Sequence, residues 1–93
     1  MIEKQIENKL TMAVKKNGGI ALKLVCPSRA GIPGRLILLP VGHIGFAELK
    51  APGKKPRPLQ LSRHRLLREL GYRVYVIDDP KQIGGMIDEL QST

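Results

Sequence analysis

The sequence predicts an α/β domain of order αβββαβα, in which helices cover one small mixed sheet. Three observations carry that reading. The chain is 93 residues long and 42% hydrophobic, enough for one core and too short for two, so residues 1–93 read as a single domain. Apolar residues recur at steps of three and four near both ends, which is helical spacing. Between them lie short β-rich runs separated by glycine and proline.

Ile2, Ile6, Leu10, Ala13 and Val14 form one stripe, so residues 2–16 are an amphipathic helix, closed by Asn17-Gly18-Gly19. Ile20 to Cys26 is a strand stopped by Pro27, and Ser28 to Gly34 is a loop of small residues, Gly and Pro. Arg35 to Leu39 and Ile44 to Lys50 are strands joined as an antiparallel hairpin through the Pro40-Val41-Gly42-His43 turn. Residues 51–58 contain three prolines, each lacking an amide donor, and form a basic loop. Leu59, Leu66, Leu67 and Leu70 mark a helix over residues 58–70, with Pro58 in its first turn and Gly71 at its end. Tyr72 to Ile77 is the fourth strand. Asp79-Pro80 opens a last helix whose apolar face is Ile83, Met86, Ile87 and Leu90, and Gly84-Gly85 makes it the least stable helix, at roughly 1 kcal/mol per glycine relative to Ala.

Charge narrows the function. Lys and Arg total 16 against 8 Asp and Glu, giving a net charge of +8. Up to Ile77 the net charge is +11, and beyond it −3. A polyanion is the expected partner, with Lys50, Lys54, Lys55, Arg57, Arg63, Arg65, Arg68 and Arg73 as the densest basic run. A solvated helix face plus a basic loop has the same composition. Aromatic residues are 3% of the chain, too few for a base-stacking platform. The longest apolar run is too short to span a bilayer, the N-terminus shows no secretory pattern, and the lone Cys26 cannot pair internally. These features predict a cytoplasmic protein with no membrane partner.

The third strand holds the candidate chemistry. Its period of two places Ile44, Phe46, Glu48 and Lys50 on one face and Gly45, Ala47 and Leu49 on the other. Glu48 and Lys50 therefore share a face at the strand's end, where α/β sheets open into a crevice. A carboxylate there can hold a divalent cation, and an ammonium two residues on can position or help deprotonate an attacking water. A Glu-x-Lys triplet arises by chance in roughly one chain in three of this length, so the context has to carry the argument.

That context is extensive. Gly31-Ile32-Pro33-Gly34-Arg35, the hairpin to Phe46-Ala47-Glu48-Leu49-Lys50-Ala51-Pro52-Gly53, then Lys55-Pro56-Arg57-Pro58-Leu59-Gln60, the Arg68-Glu69-Leu70-Gly71-Tyr72 turn and the Val74-to-Asp78 strand follow one another in order and spacing. Together they resemble the virus-type replication-repair nucleases (VRR-NUC) of the restriction-endonuclease-like PD-(D/E)xK superfamily. The resemblance implies a phosphodiesterase dependent on Mg²⁺ or Mn²⁺. It makes Glu48 a metal-binding acid, Lys50 its catalytic lysine, Gln60 the glutamine opening the second helix, and the Leu49 carbonyl a further ligand. The first helix should add a carboxylate: Glu7 beside the apolar stripe, with Glu3 as the fallback, although both also read as a solvated helix flank. Lys23, Lys54, Lys55, Arg57 and Arg63 become candidate DNA contacts.

One position departs. The family pattern Gly-(Val/Ile)-Pro-Asp-Arg is here Gly31-Ile32-Pro33-Gly34-Arg35, so the aspartate expected at the metal site is a glycine. A natural variant with impaired catalysis and an engineered inactive form read alike at this position. The leading expectation is a homodimeric endonuclease acting on branched DNA such as four-way junctions, impaired by Gly34. The alternative is a DNA-structure-binding module that has lost cleavage. His43, in the hairpin turn, and His64, on the exposed or site-facing side of a helix, make no metal-ligand pattern, and Cys26 reads as a buried thiol.

Overall fold

A computed structural model of the chain describes residues 1–92. In chain order the elements are α1 (Glu3–Lys16), β1 (Ile20–Lys23), β2 (Arg35–Leu39), β3 (His43–Leu49), α2 (Pro58–Glu69), β4 (Val74–Ile77) and α3 (Lys81–Gln91). The order is the expected αβββαβα. The strands form one sheet, β1-β2-β3-β4, antiparallel except for the β3–β4 pair. That parallel pair needs a crossover, which α2 supplies.

One face of the sheet carries the core. Ile37, Leu39, Ala47, Leu49 and Ile77 pack against Ile6, Leu10 and Val14 of α1 and against Ile83, Met86, Ile87 and Leu90 of α3. Full burial of such aliphatic side chains stabilises by about 1.5–3 kcal/mol each. Gly45 lets α3 approach closely, because a Cβ there would lie 2.7 Å from a Leu90 methyl. Gly84 and Gly85 face open space on the outer side of α3. Arg73 and the Tyr75 hydroxyl, at 2.8 Å and 2.7 Å, both bond Glu89 and tie this helix to β4.

The opposite face is only partly covered. The register aligns Ile20 with Leu38 and Ile44, and Leu22 with Leu36 and Phe46. α2 packs against β4 and leaves the β1 side open, so Ile20, Leu22 and Ile44 remain 57%, 42% and 39% exposed.

Several boundaries and faces differ from expectation. β1 ends at Lys23 rather than Cys26, although the Leu24 amide still donates to the Gly34 carbonyl at 2.8 Å. β3 spans His43–Leu49, so His43 opens a strand instead of lying in the turn. The turn itself is a 3₁₀ segment, Pro40–Gly42, with Val41 at φ 68. β4 begins at Val74, two residues later than Tyr72. The last helix starts at Lys81 with Pro80 at its N-cap, and Asp79, one residue earlier, accepts from the Lys81 amide at 2.9 Å through Oδ1. Cys26 is half-buried, not buried.

The largest correction concerns α2. Of the expected stripe, Leu59 and Leu70 are 45% and 64% exposed and Leu66 and Leu67 are half-buried, while the residues the helix buries fully are Gln60 and His64. The helix turns a polar stripe toward the sheet because that face of β3 carries Glu48, which Gln60 meets directly. His64, one turn along, is 0% exposed, which excludes the exposed one of the two sides expected for it.

Candidate active site

The site forms where the C-terminal end of β3 meets the start of β2, α1 and α2. Strand alternation aims Glu48 and Lys50 at the α2 side, as expected. Both are largely buried, with side chains 12% and 17% exposed, and Lys50 Nζ lies 3.6 Å from Glu48 Oε2. The Gln60 amide donates to the same oxygen at 3.2 Å, while its Oε1 accepts from the Arg57 amide at 2.9 Å. Gln60 is thus fixed at both ends and fixes Glu48 in turn. The other carboxylate oxygen, Oε1, accepts from the Gly34 amide at 3.1 Å.

Glu7 reaches the same cleft from α1. Its carboxylate pairs with the Arg35 guanidinium at 2.8 Å and with Lys4 at 3.4 Å. Burial works to raise its pKa, but the Lys4 hydrogen bond and the Arg35 charge outweigh it, and the net shift is downward. An open cleft of about 250 Å³ is lined by Glu3, Glu7, Lys23, Gly34, Arg35 and Glu48, with Leu24 and Leu49 at its edge. The structure therefore gathers Glu7, Glu48, Leu49, Gly34 and Lys23 in one place, with Gln60 and Lys50 adjoining through Glu48.

The remaining basic candidates lie farther out. Lys54 and Lys55 are exposed on the loop, which a turn closed by the Lys54 amide and the Ala51 carbonyl at 3.0 Å, with Gly53 at φ 79, holds in shape. Arg57 is exposed at the start of α2. Arg63 spends its Nε on the Ala30 carbonyl at 3.1 Å and so clasps the β1–β2 loop to α2.

Comparison with known proteins agrees with this fold. No protein-family model matches the chain. A solved structure described as a VRR_NUC domain superposes with a TM-score of 0.85 at 33% identity, covering 92% of this chain and 94% of the other. A protein of Acyrthosiphon pisum secondary endosymbiont phage 1, named "Putative nuclease p44", is 53% identical over 76 residues, 82% of each chain. The chain belongs to the VRR-NUC nuclease family.

At the position that the VRR-NUC pattern fills with aspartate, Gly34 leaves a shaped space. An added Cβ would meet only Glu48 Oε1, at 4.0 Å, and φ lies outside the left-handed region, so an L side chain is accommodated without strain. Among the described residues no three His, Cys, Asp or Glu side chains converge to hold an ion. Glu7, Glu48 and the Leu49 carbonyl would be the candidate donors, hard oxygens of the kind that suits Mg²⁺ or Mn²⁺, with no carboxylate at position 34 to join them. Two participants escaped the sequence reading. Arg35 was visible only as the residue after Gly34, with nothing in the spacing to pair it with Glu7. His64 was visible only as lying four residues after Gln60.

Proposed function

We propose that the chain is a metal-dependent, structure-selective DNA endonuclease that hydrolyses phosphodiesters in branched DNA as a homodimer, with a rate held down by Gly34. The observation that carries this reading is the fixed Glu48–Lys50–Gln60 group, because such polar groups are buried at a cost unless they have work to do or partners to satisfy them. Glu48, Glu7 and the Leu49 carbonyl would hold the cation. A divalent ion bound there supplies Lewis-acid stabilisation of phosphoryl oxygens and makes water a stronger acid.

The chain's own groups do the rest. Gln60 and the Gly34 amide orient the two oxygens of Glu48. Lys50 places a positive charge beside them, where it stabilises the negative charge that develops on an attacked phosphate and can orient the attacking water. Lys23, Lys54, Lys55 and Arg57 supply backbone contacts, whose affinity depends on salt and little on sequence. The open apolar face of Ile20, Leu22 and Ile44 supports the homodimer, since a second copy would remove it from water. Two sites facing the two strands of a symmetric branch then follow from the dimer axis.

Gly34 favours a second reading, a DNA-structure-binding module with the same surface and no cleavage. Incubation with a labelled four-way junction or a linear duplex of the same sequence, in Mg²⁺ or Mn²⁺, separates the two. Slow nicking of the junction alone supports the enzyme. Tight junction binding with no product at any metal concentration supports the binding module.

A further inference from the structure

A second cleft lies at β4, whose Val76 pairs in register with Glu48. Its floor is apolar: Pro56 from the basic loop, Leu61 from α2 and Val76 from β4. Val76 is the register partner of Glu48 in the parallel β3–β4 pair, so the two residues present side chains to the same face about 4.8 Å apart. Leu61 follows Gln60 directly and is 48% exposed at this spot. Lys54 and Lys55 rim the cleft, and Asp78 and Gln82 stand at its far wall. The Gln82 Oε1 accepts from the amides of Asp78 and Asp79 at 2.9 Å and 3.2 Å, which turns its NH₂ outward as a donor. The volume is about 430 Å³, within the range of small-molecule clefts, roughly 300–1,000 Å³.

We propose that this cleft seats one unpaired nucleotide of the DNA strand whose phosphate lies at Glu48. The inference rests on the DNA-cleaving reading above and gives it a source of structure selectivity. Each part of a nucleotide finds its complement. The base face lies on Pro56, Leu61 and Val76, where aliphatic surface stands in for the aromatic platform the sequence lacks. The base edge meets an acceptor, the Asp78 carboxylate, and a donor, the Gln82 amide, the pairing types that proteins use on exposed base edges. The phosphates on either side meet Lys54 and Lys55. A base can enter only when it is unstacked. Branch points, bulges and junction centres provide that state at low cost, whereas intact duplex must first be opened at a few kcal/mol.

The test measures binding in Ca²⁺ or without metal, so it does not depend on catalysis. Two probes are compared: a short duplex, and the same duplex with one unpaired 2-aminopurine bulge. The protein should bind the bulged probe more tightly and change the fluorescence of the bulged base. Leu61→Asn and Gln82→Ala, both at exposed positions, should each lower the bulged-to-paired affinity ratio by about fivefold, equivalent to about 1 kcal/mol, the lower end of what contact with one base contributes. Affinity for the paired probe should stay unchanged, and Lys54→Ala should weaken both probes alike. Equal affinity for the two probes in the parent chain, an unchanged ratio in both variants, or an equal loss on both probes overturns the nucleotide seat and leaves the nuclease reading intact. Failure to bind either probe overturns the DNA-cleaving reading itself.

Discussion

Replacing Gly34 with Asp should turn a weak metal site into a strong one, and the geometry sets the size of the effect. The new Cβ would stand 4.0 Å from Glu48 Oε1 with no other contact beyond its chain neighbours, and Gly34 and Glu48 line the same cleft, so an Asp side chain fits beside Glu48. Without metal the two carboxylates repel, and two unit charges at a separation of about 4 Å do so by about 1 kcal/mol if fully hydrated and about 4 kcal/mol at the effective dielectric of a protein surface. Gly34→Asp should therefore melt at a lower temperature than the parent chain in EDTA. A divalent ion reverses the sign, because it binds both carboxylates at once. At a free concentration 100 times its dissociation constant it stabilises the fold by about 2.7 kcal/mol. For a domain of this size each kcal/mol moves the midpoint by about 4–8 °C. The assay is a thermal melt across a Mg²⁺ titration of both proteins. The variant should start below the parent and rise past it, with a midpoint at lower Mg²⁺. Superimposable titrations would show that position 34 does not face the metal, and Glu3, at the edge of the same cleft, would be the next acid to test.

Further outcomes follow from the same structure. Changing both Lys54 and Lys55 to Ala should flatten the plot of log affinity against log salt by up to about 2 units, measured by anisotropy on a four-way junction. Sedimentation equilibrium at micromolar concentration should give a dimer, and Leu22→Lys or Ile44→Asp should give a monomer of 10.3 kDa that remains folded by circular dichroism. His64 is fully buried with no protein partner on either ring nitrogen among the described residues, and desolvation, aided by the charges of Arg68 and Lys50, lowers its pKa. The unfolded chain therefore binds a proton first, so stability should be constant above about pH 6.5 and fall as the pH drops below it. His64→Leu should abolish that loss between pH 6.5 and 5 and add about 1 kcal/mol at pH 7, read by urea unfolding.

Much of this was legible in the sequence for identifiable reasons. A strand's period of two is strict, so Glu48 and Lys50 could be placed on one face, and Ala47 and Leu49 on the other, before any coordinates. α3 buries its whole expected face and α1 buries Ile6, Leu10 and Val14 because each helix lies over an apolar sheet face, whereas Ile2, ahead of α1, is 63% exposed. α2 misled for the converse reason. Its leucines fit a helical stripe, but the sheet opposite offers Glu48, and a glutamine that satisfies both that carboxylate and the Arg57 amide is held more firmly than a leucine could be. The strand ends were misplaced where β-rich sequence outruns its partner. Beyond Lys23 pairing shrinks to the bond from the Leu24 amide to the Gly34 carbonyl, and before Val74 to the one from the Phe46 amide to the Arg73 carbonyl. Glu7, beside the apolar stripe, lines the cleft, and so does Glu3 one turn earlier. The ion pair of Glu7 with Arg35 joins residues 28 apart in sequence, which no local period encodes.

The central claim is that an intact Glu48–Lys50–Gln60 group is limited by one missing carboxylate. Single-turnover cleavage of a four-way junction in Mg²⁺, run side by side for the parent chain, Gly34→Asp and Gly34→Asp with Glu48→Ala, tests it most directly. Losing a major electrostatic contributor costs about 3–4 kcal/mol, so Gly34→Asp should cut roughly a hundred- to a thousandfold faster than the parent, and the added Glu48→Ala should abolish the gain while junction binding persists. Equal rates for the parent and Gly34→Asp, or a gain that survives Glu48→Ala, would contradict the account.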